Sequence, residues 1–184
     1  MLKIKITIFV CLFIGSCFAQ IKHPETDFFL ENNKMYWEHT YDVPSKSTDD
    51  LIKYFQKEVL INIKQNNFQI IDNTISFEIN DDKVNFKKYG GTAMGTAFIA
   101  QLYMKYLVVI DFKDNKYRVT VKDIFLDNQE LQYRMSGDIS EFCTKKTTTV
   151  FLTGKIITTG MIYDHKHFLE KFEIKTNESL KKDW

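Results

Sequence analysis

Disulfide bonds and irregular loops can contribute little to this chain, because cysteine, proline and glycine are all scarce. Its 184 residues include 3 Cys, 2 Pro and 7 Gly. So few prolines and glycines exclude a collagen-like repeat or a low-complexity linker. The charge also lacks a dominant sign, since 25 Lys and Arg face 24 Asp and Glu, for a net charge of +1. This balance does not give the basic surface expected of a nucleic-acid-binding protein.

Aromatic residues are the class that the sequence has in abundance. There are 16 Phe and 9 Tyr, and hydrophobic residues make up 44% of the chain. A length near ~100–200 residues suits one domain. We therefore expect a single globular domain with a sizeable core that holds together without cross-links.

The first 19 residues have the pattern of a secretory signal peptide. Lys3 and Lys5 precede the apolar run 6–14, and the pair Ala19-Gln20 offers a cleavage site. The run is shorter than the ~20 apolar residues that span a bilayer. We therefore expect residues 1–19 to be removed and the protein to be exported to the periplasm or the medium, with no transmembrane span in the mature chain.

A second interpretation of the same segment stays open. The sequence Ile14-Gly15-Ser16-Cys17 resembles a lipobox, and Cys17 would then become a lipidated N-terminus that anchors the protein in the envelope.

Cleavage after Ala19 would leave 23 basic against 24 acidic residues, a net charge of −1, with Cys143 as the single cysteine. An intrachain disulfide would then be impossible.

Hydrophobic periodicity predicts the first half of the fold. Residues 20–33, which include Pro24, are expected to form an exposed lead-in to a core domain at 34–127. Alternation from Met35 to Val43 predicts a half-buried strand, with His39 on its apolar side. Ser47 to Asp50 has the composition of a helix start, and apolar residues continue at helical spacing to Ile63.

Two hairpins are predicted after this helix. In the first, Asp81-Asp82 would form the turn, so that Ile79 lies opposite Val84 and Phe77 opposite Phe86. In the second, every even residue from Phe98 to Phe112 is apolar. A turn at Asp114-Asn115 would then pair Phe112 with Tyr117, Val108 with Val121, and Asp111 with Arg118.

The odd positions of the long strand are the candidate functional surface. Ile99, Tyr103, Leu107 and Val109 would lie on the second face of the sheet and are unusually apolar for a solvent-facing surface. Residues 128–160 are a strand-like insertion with strand character at 150–157. We expect this insertion to cover the second face through Leu131, Tyr133, Val150 or Leu152.

The last segment is predicted to be helical from Tyr163 to Lys182, so that residues 128–184 comprise the insertion and a C-terminal helix. Phe168, Leu169 and Phe172 would form its apolar stripe. His165 and His167 are two residues apart and point in different directions on a helix, so we expect a solvated face and no metal site there.

The order strand, helix, four strands, helix predicts an α+β fold, an antiparallel sheet packed on two helices (β-α-β-β-β-β-α). Two stretches, 36–51 and 106–119, resemble a family of exported Bacteroidetes proteins known as domain of unknown function 4468, which has a TATA-binding-protein-like (TBP-like) fold. The segments YWE…YDVP…STDDL and YLVVIDFKDNKYRV carry the resemblance. It covers residues 34–127, implies the TBP-like fold, and brings no catalytic residue, cofactor or metal ligand.

Two classes of function follow from these observations. The first is a non-enzymatic binding or envelope-associated module, whose partner would be an envelope protein or, as an alternative, a small apolar ligand that the protein carries. The second is an envelope hydrolase, although His23, His39, His165 and His167 have no plausible nucleophile beside them in the sequence. A hydrogen bond between His39 and a carboxylate would favour the enzyme. No cofactor and no nucleic-acid partner are expected.

Overall fold

One antiparallel sheet with helices on one side forms the domain in the computed structural model. The structure describes residues 20–128, 136–145 and 150–175. The strands are β1 (Ile21–Lys22), β2 (Phe28–Glu31), β3 (Lys34–Asp42), β4 (Asn66–Ile71), β5 (Thr74–Lys83), β6 (Tyr103–Lys113), β7 (Lys116–Asp127) and β8 (Gly137–Asp138). The helices are α1 (Thr48–Tyr54), α2 (Ile139–Cys143) and α3 (Lys155–Phe172). The predicted α+β class is confirmed.

The strand order is β1-β2-β3-β7-β6-β5-β4, with β8 paired to β7, and every pair is antiparallel. Strand β3 therefore pairs with β7, far along the chain, and Trp37 lies opposite Val121. This non-local pairing inserts the N-terminal strands beside the central hairpin.

The central hairpin has the predicted register. Phe112 lies opposite Tyr117, Val108 opposite Val121, and Asp111 opposite Arg118. The even side chains of β6 are buried because they face the helices. The hairpin prediction is confirmed.

Helix α1 begins where the sequence predicts. The Ser47 hydroxyl caps it by accepting a hydrogen bond from the backbone N–H of Asp50, and Asp49 and Asp50 lie in its first turn, where the helix dipole favours negative charge. The chain continues through a π-helical turn at Phe55–Val59 and a 3₁₀ turn at Leu60–Asn62. The ring of Phe55, in this π-helical turn, contacts the rings of Phe112 and Tyr117, so the helical segment packs on the central hairpin.

The predicted turn at Asp81-Asp82 is wrong. Strand β5 runs through both residues, and its hairpin partner is β4, which precedes it. Phe77 lies opposite Val108 instead of Phe86, and Phe86 begins a 3₁₀ turn. Asp81 adopts a left-handed φ of 62° at a bulge in β5, and this bulge turns the side chain of Asp82 into the protein.

Residues 20–33 are not an exposed lead-in. They contain β1 and β2, which extend the sheet beyond β3, and Phe28 and Leu30 are 0% and 2% exposed. The buried side chain of His23 bonds to the Thr26 hydroxyl at 3.1 Å and packs against the ring of Phe151. Burial of Phe28 against Phe168 of α3 makes this segment part of the core.

The insertion differs from the strand-like segment that its composition predicts. In the described residues of 128–160, β8 and the short helix α2 bring Ile139 and Cys143 into the core. Helix α3 already begins at Lys155, so the predicted strand at 150–157 is wrong, and Phe151 forms only an isolated bridge to Thr144. Leu131 and Tyr133 lie outside the described residues.

Candidate binding face and buried polar clusters

The face of the sheet that lies away from the helices, called the open face below, carries the predicted surface. Strand alternation directs Met104, Tyr106 and Val108 into the core and leaves Tyr103, Leu107 and Val109 half-buried on the opposite side. Other half-buried or exposed apolar side chains of this face include Phe29, Tyr36 and Phe125. Three of the four predicted residues therefore share one surface.

Ile99 is not part of this surface. It lies in a 3₁₀ turn at Phe98–Gln101, before β6 begins, and its side chain is 0% exposed. A Cβ built on Gly160 of α3 would come within 2.8 Å of the Ile99 side chain, so α3 and this turn are in close contact. The even–odd pattern fails here because the chain is not yet extended.

In the described part of the chain, the helices pack on the other side of the sheet. Phe55, in the π-helical turn after α1, contacts Phe112. Phe168 of α3 contacts Tyr106 and Trp37, and α2 contributes Cys143 to the same core. Val150 is 41% exposed, so it does not serve as a covering residue. Cover by the rest of residues 128–160 stays a prediction.

Charged side chains of both signs surround the apolar residues of the open face. Arg118 of β7 donates to Asp111 of β6 at 2.8 Å, and the Thr120 hydroxyl donates to Glu38 of β3 at 3.2 Å. A cleft of about 440 Å³ begins beside Tyr36 and extends to Lys122. These cross-strand pairs hold the side chains of three neighbouring strands in fixed positions.

A buried ionic cluster ties α3 to β5 on the helix side. Asp82 accepts hydrogen bonds from Lys171 Nζ at 2.7 Å and from the Tyr106 hydroxyl, and its carboxylate lies 2.9 Å from His167 Nε2. Burial alone would raise the pKa of Asp82. The hydrogen bonds and positive charges of His167 and Lys171 outweigh it and hold this pKa well below its usual range.

Asp164, one turn before His167 on α3, has the opposite environment. Its side chain is fully buried, and neither carboxyl oxygen has a hydrogen-bond partner among the described residues. Burial, with a smaller contribution from the negative charge of Asp82, raises the pKa of Asp164 to about 8. At pH 7 the side chain is therefore a neutral carboxylic acid, which avoids the cost of an unpaired buried charge.

The histidines of α3 are not on a solvated face, contrary to the prediction. His167 bonds to Asp82, and His165 Nδ1 accepts a hydrogen bond from Trp37 Nε1 at 2.9 Å. Burial lowers the pKa of His165. Both histidines were missed because their partners lie on β5 and β3, and helical spacing carries no information about them.

His39 has the carboxylate partner that would favour an enzyme. Its Nδ1 lies 2.6 Å from Asp27 Oδ2, and Asp27 also pairs with Lys22 at 2.6 Å. The ring of His39 lies between those of Trp37 and Tyr41. No Ser, Thr or Cys in the described residues hydrogen-bonds to His39, so the Asp–His pair lacks an adjacent nucleophile there.

The described ranges contain neither a metal-binding group of side chains nor a reactive cysteine. No three His, Cys, Asp or Glu side chains within residues 20–128, 136–145 and 150–175 are grouped to hold a metal ion. Cys143 is buried, and burial raises the pKa of its thiol far above the usual range, so it is a poor nucleophile.

None of the described helices has the length and apolar character to span a bilayer. Cys17 lies outside the described residues.

Comparisons with known proteins bear on the fold. Protein-family models give no match, and curated proteins give none either. The crystal structure of a TBP-like protein from Parabacteroides distasonis is similar to this chain with a TM-score of 0.51 and 12% identity, over 84% of this chain and 92% of that one.

A second crystal structure carries the name of the family that the sequence resembles. It is a domain of unknown function 4468 protein from Bacteroides ovatus, with a TM-score of 0.46 and 14% identity, over 76% of this chain and 83% of that one. Identities this low describe a fold and not an activity. With the sheet and helices described above, the Parabacteroides structure shows that this chain has the TBP-like α+β fold.

Proposed function

We propose that this protein is an exported, non-enzymatic binding module that uses the open face of its sheet to bind another protein of the cell envelope. The observation that carries the proposal is the group of half-buried apolar side chains, Tyr103, Leu107 and Val109, on a face without a described helix. Apolar surface of this kind on a soluble domain marks an interaction site.

The chemistry of the face favours a protein partner. Aromatic and aliphatic side chains at its centre are surrounded by charges of both signs, which is the composition of protein–protein interfaces. A nucleic acid would require a predominantly basic surface. On this face, however, Glu38 and Asp111 offset the charge of Arg118. The cleft beside Tyr36 is open to solvent and has charged side chains such as Glu31, Lys34 and Asp138 in its lining, so it is not the enclosed apolar cavity that suits a small apolar ligand.

Site-specific photo-cross-linking in expressing cells tests the proposal. A photoreactive amino acid in place of the exposed Lys105, on the open face, should form a discrete adduct with an envelope protein. The same residue in place of the exposed Lys57, on the helix side, should not. Adding Leu107→Glu to the Lys105 variant should remove the adduct, whereas adding Ile156→Glu, at an exposed position of α3, should leave it. Equal labelling from both sides would contradict the proposal.

The envelope location rests on residues 1–19, which lie outside the described residues. We expect cleavage after Ala19, which N-terminal sequencing of the protein isolated from the periplasm or medium would show as a chain that begins at Gln20. If the isolated protein instead begins at a lipid-modified Cys17, the mature protein is the form anchored in the envelope and not the soluble form. An intact Met1 on cytoplasmic protein would contradict export.

The hydrogen bond between His39 and Asp27 supports a hydrolase as the second candidate function. In that case His39→Gln should abolish hydrolysis of ester or glycoside substrates by the purified protein. The variant should still unfold cooperatively, at a melting temperature close to that of the wild type. His23→Gln is the matched histidine control. Equal activity of the wild type and the His39 variant would contradict an enzymatic role for this pair.

A further inference from the structure

Strand β4 is a long free edge of the sheet. It ends the strand order, and all six of its residues, Asn66–Ile71, are exposed. The opposite edge is formed by β1, which is two residues long. No backbone hydrogen bond in the described ranges joins Asn66–Ile71 to a segment other than β5. The outward N–H and C=O groups of β4 are therefore available for another strand.

Exposed apolar residues are concentrated in the chain segment that ends with this strand. Of the nine large hydrophobic residues that are exposed in the described chain, five lie in the segment 54–71. They are Tyr54, Ile61, Phe68, Ile70 and Ile71. Ile70 lies opposite the buried Ile75 and so points to the helix side, and the exposed Phe68 lies at the bulge between Asn66 and Gln69.

Natural proteins protect long edge strands with charges, prolines or bulges. Strand β4 has one bulge but no charged residue and no proline between Asn66 and Ile71. Charges appear only at its ends, where Lys64 precedes the strand and Asp72 follows it. Neither of these two residues forms an ion pair with another described residue.

We propose that β4 pairs antiparallel with β4 of a second copy of this protein, about a two-fold axis. Antiparallel pairing brings the Lys64 end of one strand to the Asp72 end of the other, so opposite charges meet twice. Parallel pairing would set Lys64 beside Lys64. A two-fold axis also makes the same surface serve both partners, which is the commonest arrangement in soluble oligomers.

The dimer would bury the apolar residues of both edges. The exposed Phe68 and Ile70 of each copy would come together at the shared edge, where apolar cross-strand contacts stabilise antiparallel sheets. The two sheets would then form one continuous sheet with two open faces side by side. This inference does not depend on the proposed function, because β4 lies at the sheet edge and not on the open face.

Sedimentation velocity of the purified protein over a range of concentrations tests the proposal. We expect a reversible dimer for the wild type. Ile70→Lys should weaken dimerisation about tenfold or more, since a lost apolar contact and a new charge at the edge cost at least ~1.4 kcal/mol. Ile156→Lys, the same change at an exposed residue of α3, should leave the dimer unchanged.

A charge exchange tests the antiparallel arrangement. Lys64→Glu should weaken the dimer, and the double variant Lys64→Glu with Asp72→Lys should restore it. Thermal unfolding of each variant would show that the monomer remains folded. A wild-type monomer at all concentrations, or equal dimerisation of the Ile70 and Ile156 variants, would overturn the second-copy proposal and leave an extended segment of another protein as the occupant. A double variant that fails to recover would contradict antiparallel pairing.

Discussion

Two aspartates of the helix side show how strongly a local environment sets the charge of a side chain. Asp82 faces Lys171 and His167 and remains ionised, whereas Asp164 is fully buried without a hydrogen-bond partner in the described chain. Burial penalises the charged form in both cases, but only Asp82 has cations that compensate for it. Helix α3 therefore contributes two kinds of polar group to the helix side: His167 and Lys171, which pair with the ionised Asp82, and the neutral acid Asp164.

Asp164 makes the stability of the protein depend on pH. Its pKa is about 8 when folded, against 3.8 as the ordinary value, so between these values the folded state binds a proton that the unfolded state has released. The contribution of Asp164 to the free energy of unfolding should therefore fall as pH rises from about 4 to about 8, with a slope of up to about 1.4 kcal/mol per pH unit.

Urea unfolding at several pH values checks this expectation. Asp164→Asn cannot ionise, so this variant should show a flatter pH dependence and should lose less stability than the wild type on going from pH 5 to pH 8. Glu173→Gln, at an exposed position just after α3, is the control and should keep the wild-type slope. Parallel pH profiles for wild type and Asp164→Asn would show that Asp164 does not bind the proton.

Among the elements, the β6–β7 hairpin was predictable because all of its information is local. Alternation fixes the faces, and the turn at Asp114-Asn115 fixes the register, so the two signals can be checked against each other. Helix α1 was predictable for a similar reason, since its cap and its apolar spacing lie in one continuous segment. Such elements can be predicted without knowing which other elements pack on them.

Register of the hairpin can be tested by two charge substitutions on β6. Val108 is 0% exposed between Phe77 and Val121, and Lys105 is exposed on the open face. Val108→Asp should cost ~3 kcal/mol or more, because a carboxylate is buried without a partner. Lys105→Asp should be nearly neutral. Denaturant unfolding that gave equal midpoints for the two variants would mean that the register is wrong.

The failures at element scale have a common physical cause. Asp81-Asp82 has the composition of a turn, but Asp82 is held inside the protein by Lys171 and His167, which are more distant in sequence than any periodicity extends. Strands β1 and β2 are short, so their alternation is too brief to distinguish them from a loop. In both cases the deciding partner is α3, whose position follows from the whole fold.

At the scale of the whole molecule, the N-terminal segment is part of the structural core. Phe28 is fully buried against Phe168, whereas its neighbour Phe29 is half-buried on the open face, where it stacks on Tyr36. Phe28→Ala should cost ~3–5 kcal/mol, since it creates a cavity between the sheet and α3. Phe29→Ala should cost much less, as a matched control. Calorimetric melting would check both, and equal losses would contradict the core position of β2.

The alternation places the residues of the candidate surface on one face only where the chain is extended. Tyr103, Leu107 and Val109 follow the alternation of β6, but Ile99 precedes the strand and lies in a 3₁₀ turn. Phe125 was missed because Asp123 has a left-handed φ of 55°, and this irregularity shifts the alternation in β7. Tyr36 could have been found from the alternation of β3, as the residue between Met35 and Trp37.

The pairing of β3 with β7 also determines the order in which this protein can fold. β3 is synthesised long before β7, so it has no neighbour on one side until the chain through Val121 has been made. The β6–β7 hairpin closes a short loop quickly, whereas joining Trp37 to Val121 closes a long one and is the slower event. We therefore expect the interval before β7 pairs with β3, when the apolar side chains of the N-terminal strands lack their final cover, to be the stage most vulnerable to aggregation.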